Sequence, residues 1–233
     1  MNEHSLSKRL TMVGNEVPAG ARLADIGSDH AYLPAALMLE GRIEYAVAGE
    51  VVKGPFESAQ KQVAKNGLSE KINVRLADGL AAVLPSDNID TVTIAGMGGT
   101  LIAHILAAGV QNGNLRKTER LVLQPNVGEP NVRYWLMTNN YRIEAEHILE
   151  ENDKIYEIIV AVPGFSEYTQ QELFFGPFLS QKKPAEFMKK WQREKQNRQR
   201  VLTQLQQAGT PQTEKITEIQ EQLSWIEKIL EGV

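Results

Sequence analysis

Acidic side chains and glycines occur where the sequence predicts that four β-strands end. The four predicted strand-ending turns contain, in chain order, Asp25, Gly27, Asp29 and His30; Glu50; Asp78; and the run Gly96, Met97, Gly98 and Gly99. In an open α/β sheet the carboxyl ends of the strands lie along one edge, and ligands bind there. We therefore expect these residues to meet at one ligand site, whose acidic character favours a positively charged ligand.

The turn after the first strand distinguishes between two kinds of adenosine-containing cofactor. A dinucleotide pyrophosphate binds a glycine-rich turn at a bare helix N-terminus, whereas this turn has one glycine, Gly27, and places Asp29 where the phosphate charges would lie. The number of residues between this turn and Glu50 does not distinguish the two cofactors, because an acid about 20 residues after the glycine turn would bind ribose in both cases. S-adenosylmethionine has no phosphate and carries a sulfonium and an ammonium group, so the acidic turn favours it.

The position of each residue predicts its role in binding this cofactor. Asp25 would hold the ammonium group directly or through water, and Gly27 would leave room for the methionine moiety. Glu50 would accept both ribose hydroxyls, and Asp78 would accept a bond from the adenine amino group. The other predicted cofactor contacts are Ser28, Gly79, Gly96, Met97 and Gly98, with Met97 as an apolar wall beside the sulfonium.

An alternation of strands and helices is predicted to position these turns. Strands are expected at 22–26, 45–51, 72–77, 89–95 and 121–123, with helices at 5–18, 31–39, 55–67, 101–108 and through 132–136. Two further strands, 142–149 and 155–162, are separated by a polar loop that suits a hairpin. The pattern predicts an α/β fold with a doubly wound, mostly parallel Rossmann-like sheet and an antiparallel edge, as in class I methyltransferases.

The C-terminal part of the chain has a different pattern. Residues 165–181 are expected to form an irregular connection. Apolar residues from Phe187 to Leu205 predict one long amphipathic helix, those from Ile216 to Leu230 predict a second, and a break is expected at 209–211. We therefore predict two domains, a methyltransferase domain at 1–164 and an antiparallel helical coiled coil at 165–233.

The composition excludes several kinds of protein. The 233 residues include no cysteine, which excludes disulfides, thiolate zinc sites and a cysteine nucleophile. The histidines lack metal-ligand spacing. The sequence has no apolar run of membrane-spanning length and no signal-peptide pattern at its N-terminus. We expect a cytoplasmic protein that binds neither metal nor membrane.

Basic residues are concentrated in one segment of an acidic chain. Residues 182–200 contain eight basic and two acidic side chains, although the formal net charge of the chain is −4. Such a segment is typical of a polyanion-binding surface, and equally of a solvated helix face. The predicted nucleic-acid contacts are Lys189, Lys190, Arg193 and Arg198, with Lys8 and Arg9 near the pocket.

Three short motifs and the helical tail together resemble a known family. Residues 24–34 (ADIGSDHAYLP), 95–99 (AGMGG) and 124–126 (QPN) are similar to those of the bacterial tRNA (adenine-22-N1)-methyltransferases. The resemblance covers essentially the whole chain. It implies S-adenosylmethionine as methyl donor, a tRNA methylated on N1 of an adenine, and a C-terminal coiled coil.

The chemistry of that reaction predicts further roles. Adenine N1 has a lone pair and no proton, so it attacks the methyl group without a general base and becomes cationic. The enzyme must place N1 in line with the methyl group and provide negative charge near the developing positive charge. Asp29 is predicted to supply that charge, and His30 and Asn126 to hydrogen-bond the adenine edge.

Two other functions remain open at this point. In the first, the chain is a methyltransferase that acts on a small molecule or a protein. In the second, it is a non-catalytic binding or scaffold protein that uses its helical pair. A monomer is expected, with a weak dimer as the alternative.

Overall fold

The computed structural model describes residues 5–207 and 212–231. The chain divides into two compact units, with the boundary between Tyr168 and Thr169. This boundary lies slightly beyond residue 164, where the sequence placed the division.

The first unit contains a seven-stranded sheet within the described residues. Its strands are β1 (Ala21–Ile26), β2 (Ile43–Glu50), β3 (Ile72–Leu76), β4 (Thr91–Gly98), β5 (Arg120–Val127), β6 (Tyr141–Glu151) and β7 (Lys154–Pro163). Their order is β3-β2-β1-β4-β5-β7-β6. Strands β1 to β5 pair in parallel, and β7 pairs antiparallel with β5 and β6. The predicted doubly wound sheet is confirmed, and its winding reverses between β1 and β4.

Five helices of the first unit lie among the described residues. They are α1 (Lys8–Asn15), α2 (Tyr32–Leu39), α3 (Lys53–Lys65), α4 (Gly99–Gln111) and α5 (Glu129–Thr138), with short 3-10 turns at Gly79–Ala82 and Pro85–Asp87. Helix α1 precedes β1, α2, α3 and α4 connect parallel strands, and α5 connects β5 to β6. Ser7 caps α1, because its Oγ accepts a hydrogen bond from Leu10 N–H. Apolar side chains of α1, α2 and α3 pack on the sheet in one cluster, which includes Val13, Leu33 and Val63. This core holds the amino-terminal helix α1 against the sheet.

Two strands extend further than the sequence predicts. Strand β4 continues to Gly98, and β5 continues to Val127 through Gln124, Pro125 and Asn126, although the sequence predicted that the strand ends at residue 123. The two strands pair with each other beyond the glycine and the proline, with a register shift on both sides of Met97. Pairing between the strands therefore outweighs the local breaking tendency of glycine and proline.

The second unit is helical. The prediction of an irregular connection at 165–181 is wrong, because α6 (Gln170–Phe175) lies within it and α7 (Leu179–Lys182) begins within it. The sequence did contain a start signal for α6: Thr169 and Glu172 form a capping box. The long helices α8 (Ala185–Gln207) and α9 (Thr213–Glu231) follow.

The helices α8 and α9 pack as an antiparallel pair. Arg198 of α8 bonds Gln222, whereas Lys195, earlier in α8, pairs with Glu227, later in α9. Trp191 is buried against the rings of Phe174, Phe175 and Phe187 in this unit. The predicted helical pair is thus present, and its coiled-coil character stays a prediction. The predicted break at 209–211 lies outside the described residues.

Candidate functional site

A cavity of about 230 Å³ lies at the carboxyl ends of β1 and β4. This is the point at which the winding of the sheet reverses, where ligands bind in folds of this type. The cavity is lined by Arg9, Leu10, Asp25, Gly27, Ser28, Asp29, Leu33, Ala95, Gly96 and Met97. The other predicted site residues of the first unit, which do not line it, are Lys8, His30, Glu50, Asp78, Gly79, Gly98 and Asn126.

The turn that follows β1 has an uncommon backbone conformation. Gly27 has φ +70°, and the next residues with positive φ are Asp29 (+41°), His30 (+69°) and Ala31 (+56°). Left-handed backbone costs an L-residue other than glycine about 1–2 kcal/mol, so three in succession require support. Glu50 provides it, because its Oε1 accepts the Asp29 N–H at 2.5 Å.

The conformation of this turn leaves the Asp29 carboxylate at the mouth of the cavity. The Asp29 side chain is 72% exposed, and its Oδ1 lies 3.5 Å from His30 Nε2. The His30 ring stacks on Tyr32 with ring centroids 5.3 Å apart. The turn therefore presents a carboxylate, an imidazole and an aromatic face close together.

Asp25 lies at the base of the cavity and is almost fully buried. Its two carboxylate oxygens accept hydrogen bonds from Ser28 Oγ at 2.5 Å and Thr93 Oγ1 at 2.6 Å. Burial raises the pKa of Asp25, and these two hydroxyl bonds oppose the rise. A bound ammonium group would use the remaining lone pairs of a carboxylate whose orientation is already set.

Glu50 is the last residue of β2, and Asp78 follows the neighbouring strand β3. Glu50 is buried, which raises its pKa; the Asp29 N–H lowers that pKa, and the nearby Asp29 carboxylate raises it further. Asp78 is exposed after β3, and Ala77 N–H donates to the Glu50 carbonyl at 2.8 Å. The two acids predicted to bind ribose and adenine are thus adjacent in the fold.

Gly27 and Met97 lie against each other in the cavity lining. A Cβ atom built on Gly27 would lie 2.1 Å from Met97 Cε, so a larger residue at position 27 would displace the Met97 side chain. The expected apolar wall is therefore in contact with the glycine of the first turn.

A hydrogen-bonded network around Gly96 was not foreseen from the sequence. Gly96 N–H donates to Gln124 Oε1 at 3.0 Å, and Asn126 Nδ2 donates to the Gly96 carbonyl at 2.8 Å. Arg9 Nη1 also donates to Gln124 Oε1, and the Arg9 guanidinium lies 5.4 Å from the Tyr156 ring centroid. The motif 124–126 was a sequence signal for this network, but only the pairing of β4 with β5 shows what Gln124 contacts.

The predicted nucleic-acid contacts have different surroundings. In the second unit Lys189 and Arg193 are exposed, and Lys190 lies over the Trp191 ring. Arg198 instead bonds Glu194 and Gln222 and lies 5.1 Å from the Phe174 ring centroid. In the first unit Lys8 is exposed, and its backbone N–H donates to Glu151.

The described residues contain neither a metal-binding cluster nor a membrane-spanning helix. Between positions 5 and 207 and between 212 and 231, no group of His, Asp or Glu side chains has an arrangement that holds a metal ion. In the same part of the chain, no helix is both long and apolar enough to cross a membrane.

The strand order, and the acidic cavity where the winding reverses, define a class I methyltransferase domain. Sequence comparison then identifies the family. The sequence profile of the tRNA (adenine(22)-N(1))-methyltransferases matches residues 23–228, and the chain belongs to that family.

Individual relatives agree with this assignment. The tRNA (adenine(22)-N(1))-methyltransferase of Bacillus subtilis strain 168 is 43% identical, with 99% of each chain covered. A Streptococcus pneumoniae protein crystallised with S-adenosyl-L-methionine is 45% identical at a TM-score of 0.88, covering 97% of this chain and 100% of that one. M. capricolum TrmK, solved with S-adenosyl-homocysteine, is 29% identical at a TM-score of 0.82, covering 97% and 98%. The predicted family, fold, enzyme class and cofactor are confirmed.

Proposed function

We propose that this chain transfers the methyl group of S-adenosylmethionine to N1 of adenine 22 in tRNA. The observation that carries the proposal is the cavity between the β1 turn and the Gly96–Met97 segment, in a chain of this family. The cofactor supplies an electrophilic methyl group on a positively charged sulfur. The protein supplies binding, orientation and charge.

The side chains of the cavity fit the methionine end of this cofactor. Asp25 provides a buried carboxylate for the ammonium group, and Met97 provides an apolar wall. Arg9 lines the same cavity, and its position favours a contact with the cofactor carboxylate over the RNA phosphate contact expected from the sequence. Glu50 and Asp78 extend the site along the strand ends for ribose and adenine, and the remaining contacts are Gly27, Ser28, Gly79, Gly96 and Gly98.

The methyl acceptor enters from the side on which Asp29 is exposed. Asp29 places negative charge where adenine N1 becomes cationic, and it needs no proton transfer to do so. His30 and Asn126 are the proposed hydrogen-bond partners of the adenine edge. Because N1 lies on the Watson–Crick edge, the base must be unpaired before it reaches this point.

The second unit is the proposed tRNA contact. Lys189, Lys190 and Arg193 would bind phosphates, which gives affinity with little sequence choice. Arg198 and, in the first unit, Lys8 complete the proposed set, and Arg198 bonds Glu194 and Gln222 of its own unit. We further propose a cytoplasmic monomer without a metal, with residues 1–164 as the catalytic part and 165–233 as the RNA-binding part.

Methyl transfer to a defined tRNA tests the proposal. Purified protein is incubated with labelled S-adenosylmethionine and either an unmodified tRNA transcript or the same transcript with guanine at position 22, and the nucleosides are analysed. We expect 1-methyladenosine from the first transcript and no label in the second. Label in neither RNA, or equal label in both, would exclude methylation of adenine 22. Transfer to a small molecule or protein alone would favour the first alternative function, and no transfer at all would favour the scaffold.

A further inference from the structure

The Gln124 side chain is a fully buried carboxamide with hydrogen bonds at both ends. Its Oε1 accepts from Gly96 N–H at 3.0 Å and from the Arg9 guanidinium. Its Nε2 donates to the Pro125 carbonyl at 2.8 Å and to Asn126 Oδ1 at 3.2 Å. The orientation of the amide is unambiguous, because Gly96 N–H and Arg9 can only donate and the Pro125 carbonyl can only accept.

Gln124 and Asn126 replace bonds that the strands cannot make. Pro125 has no N–H to give to the ladder, and the register of β4 and β5 shifts between Ala95 and Met97, so Gly96 is left as an extra residue with φ +81°. The Gln124 side chain accepts the Gly96 N–H, and the Asn126 side chain donates to its carbonyl. A bulge in the cavity wall is therefore held by two side chains of the facing strand.

The same carboxamide oxygen holds Arg9. An arginine side chain has about 2 kcal/mol of rotamer entropy to lose when it binds a ligand, and a hydrogen bond formed in advance reduces that loss. We propose that Gln124 is a positioning residue, which holds Arg9 and the Gly96 peptide so that Arg9 binds the carboxylate of the methionine end of S-adenosylmethionine. This inference rests on the cofactor and on the role of Arg9 in the proposed function, and it does not depend on the RNA substrate.

Two ligands separate this role from a general effect on the cavity. S-adenosylhomocysteine contains the amino-acid carboxylate, whereas 5′-methylthioadenosine has the same adenosine thioether with neither the carboxylate nor the ammonium group. In Gln124→Met, which removes both hydrogen-bonding ends, we expect the affinity for S-adenosylhomocysteine to fall about tenfold or more in calorimetric titration. The affinity for 5′-methylthioadenosine should change by less than about twofold, because Arg9 has no carboxylate to bind.

Further variants test the connection to Arg9. Gln124→Glu preserves the shape but places a carboxylate oxygen against the Pro125 carbonyl and a negative charge beside Arg9, so the same selective loss is expected; it also serves if Gln124→Met does not fold. The double variant Arg9→Met/Gln124→Met should bind S-adenosylhomocysteine no more weakly than Arg9→Met alone. Gln62→Met, the same substitution in α3 and outside the cavity lining, is the control and should change neither affinity.

Three results would overturn the inference: equal losses for both ligands, unchanged affinity for S-adenosylhomocysteine, or additive effects of Arg9→Met and Gln124→Met. All of these measurements are made without RNA. A failure to methylate adenine 22 would leave the expected affinities intact, so the two proposals fail separately.

Discussion

At the scale of single residues, Asp29 combines an exposed charge with a costly backbone conformation. Its φ of +41° lies in the left-handed region, and its N–H is held by the buried Glu50. The structure thus keeps a carboxylate at the cavity mouth at the expense of local stability. Strain of this kind is concentrated at functional sites, and Asp29 is therefore the first residue to test for catalysis.

Asp29→Asn separates charge from conformation. Asparagine tolerates left-handed backbone, so the turn should persist while the negative charge is lost. We expect the single-turnover rate of methyl transfer to fall by about tenfold to a hundredfold, with tRNA affinity unchanged. Quench-flow measurement with bound tRNA gives the rate, and filter binding gives the affinity.

The control for Asp29→Asn is Glu70→Gln. Glu70 is exposed between α3 and β3, at the amino-terminal ends of the strands, whereas the cavity lies at the carboxyl ends of β1 and β4. This change should leave both quantities unaltered. If the rate with Asp29→Asn equals that of the unchanged protein, Asp29 has only a structural role.

At the scale of elements, the site depends on a close approach between the start of α4 and the turn before α5. A Cβ built on Gly99 would lie 2.0 Å from the Gly128 carbonyl oxygen, and no side-chain movement could relieve that contact. The neighbouring Gly98 has nothing within 4 Å of such a Cβ and an ordinary φ of −72°. Position 99 therefore has no room for a side chain, whereas position 98 has.

Gly99→Ala and Gly98→Ala form a matched pair. We expect Gly99→Ala to lower the free energy of unfolding by about 2 kcal/mol or more, because two backbone segments must move apart. Gly98→Ala should remain within about 0.5 kcal/mol of the unchanged protein. Denaturant titration of both variants measures the difference, and equal stabilities would show that the approach of α4 to Gly128 is not required.

A second feature at this scale is the ion pair that joins β3 to the 3-10 turn Pro85–Asp87. Asp87 is buried, and it accepts hydrogen bonds from Arg75 Nη2 at 2.8 Å, from Tyr45 Oη at 2.7 Å and from Leu84 N–H at 2.6 Å. Burial alone would raise the pKa of Asp87, but these donors outweigh it and lower the pKa to about 2. The carboxylate thus ties β2, β3 and the turn together.

This lowered pKa predicts acid-dependent stability. The folded pKa of about 2 is below the ordinary value of 3.8, so the contribution of Asp87 is complete above pH 4 and is lost as the pH falls toward 2. Asp87→Asn should lower the free energy of unfolding at pH 7 by about 2 kcal/mol and flatten its dependence on pH between 4 and 2. Urea titrations at several pH values measure this, and parallel curves for the two proteins would refute it.

At the scale of the whole molecule, charge is divided unevenly between the two units. The segment 182–200 of the second unit has eight basic and two acidic side chains in a chain of net charge −4. Part of this charge is used within the unit, since Lys195 pairs with Glu227 and Arg198 with Glu194. Of the contacts predicted in this unit, Lys189 and Arg193 are exposed, and we choose these two for charge reversal.

Charge reversal tests the RNA-binding role of the second unit. The double variant Lys189→Glu/Arg193→Glu should raise the Kd for tRNA about tenfold at about 0.1 M salt and reduce its salt dependence, because phosphate contacts release counterions. Lys61→Glu/Lys65→Glu on exposed positions of α3 makes the same change in net charge and is expected to have a smaller effect. Equal effects of the two pairs would mean that only net charge matters.

Local sequence was sufficient for the class of fold and for much of the site. Hydrophobic periodicity encodes strands and helices locally, and the turns after parallel strands meet at one edge of the sheet. The acids Asp25, Glu50 and Asp78, together with Gly27 and the glycines at 96–99, could therefore be placed at one edge from the sequence alone. Capping of α6 by Thr169 and Glu172 was also readable, although the short helix was missed among glycine and proline residues.

Only the tertiary structure decided what surrounds Gly96. The Arg9–Gln124 contact joins residues 115 positions apart, and the register of β4 against β5 brings Gln124 and Asn126 to the Gly96 peptide. Neither property has a local signal, because register and helix placement depend on the packing of the whole sheet. The same reason explains Arg198, whose basic side chain gave no indication from sequence that Gln222 and Phe174 would surround it. Residue types thus determined which chemistry was available, and long-range packing decided which side chains hold it in place.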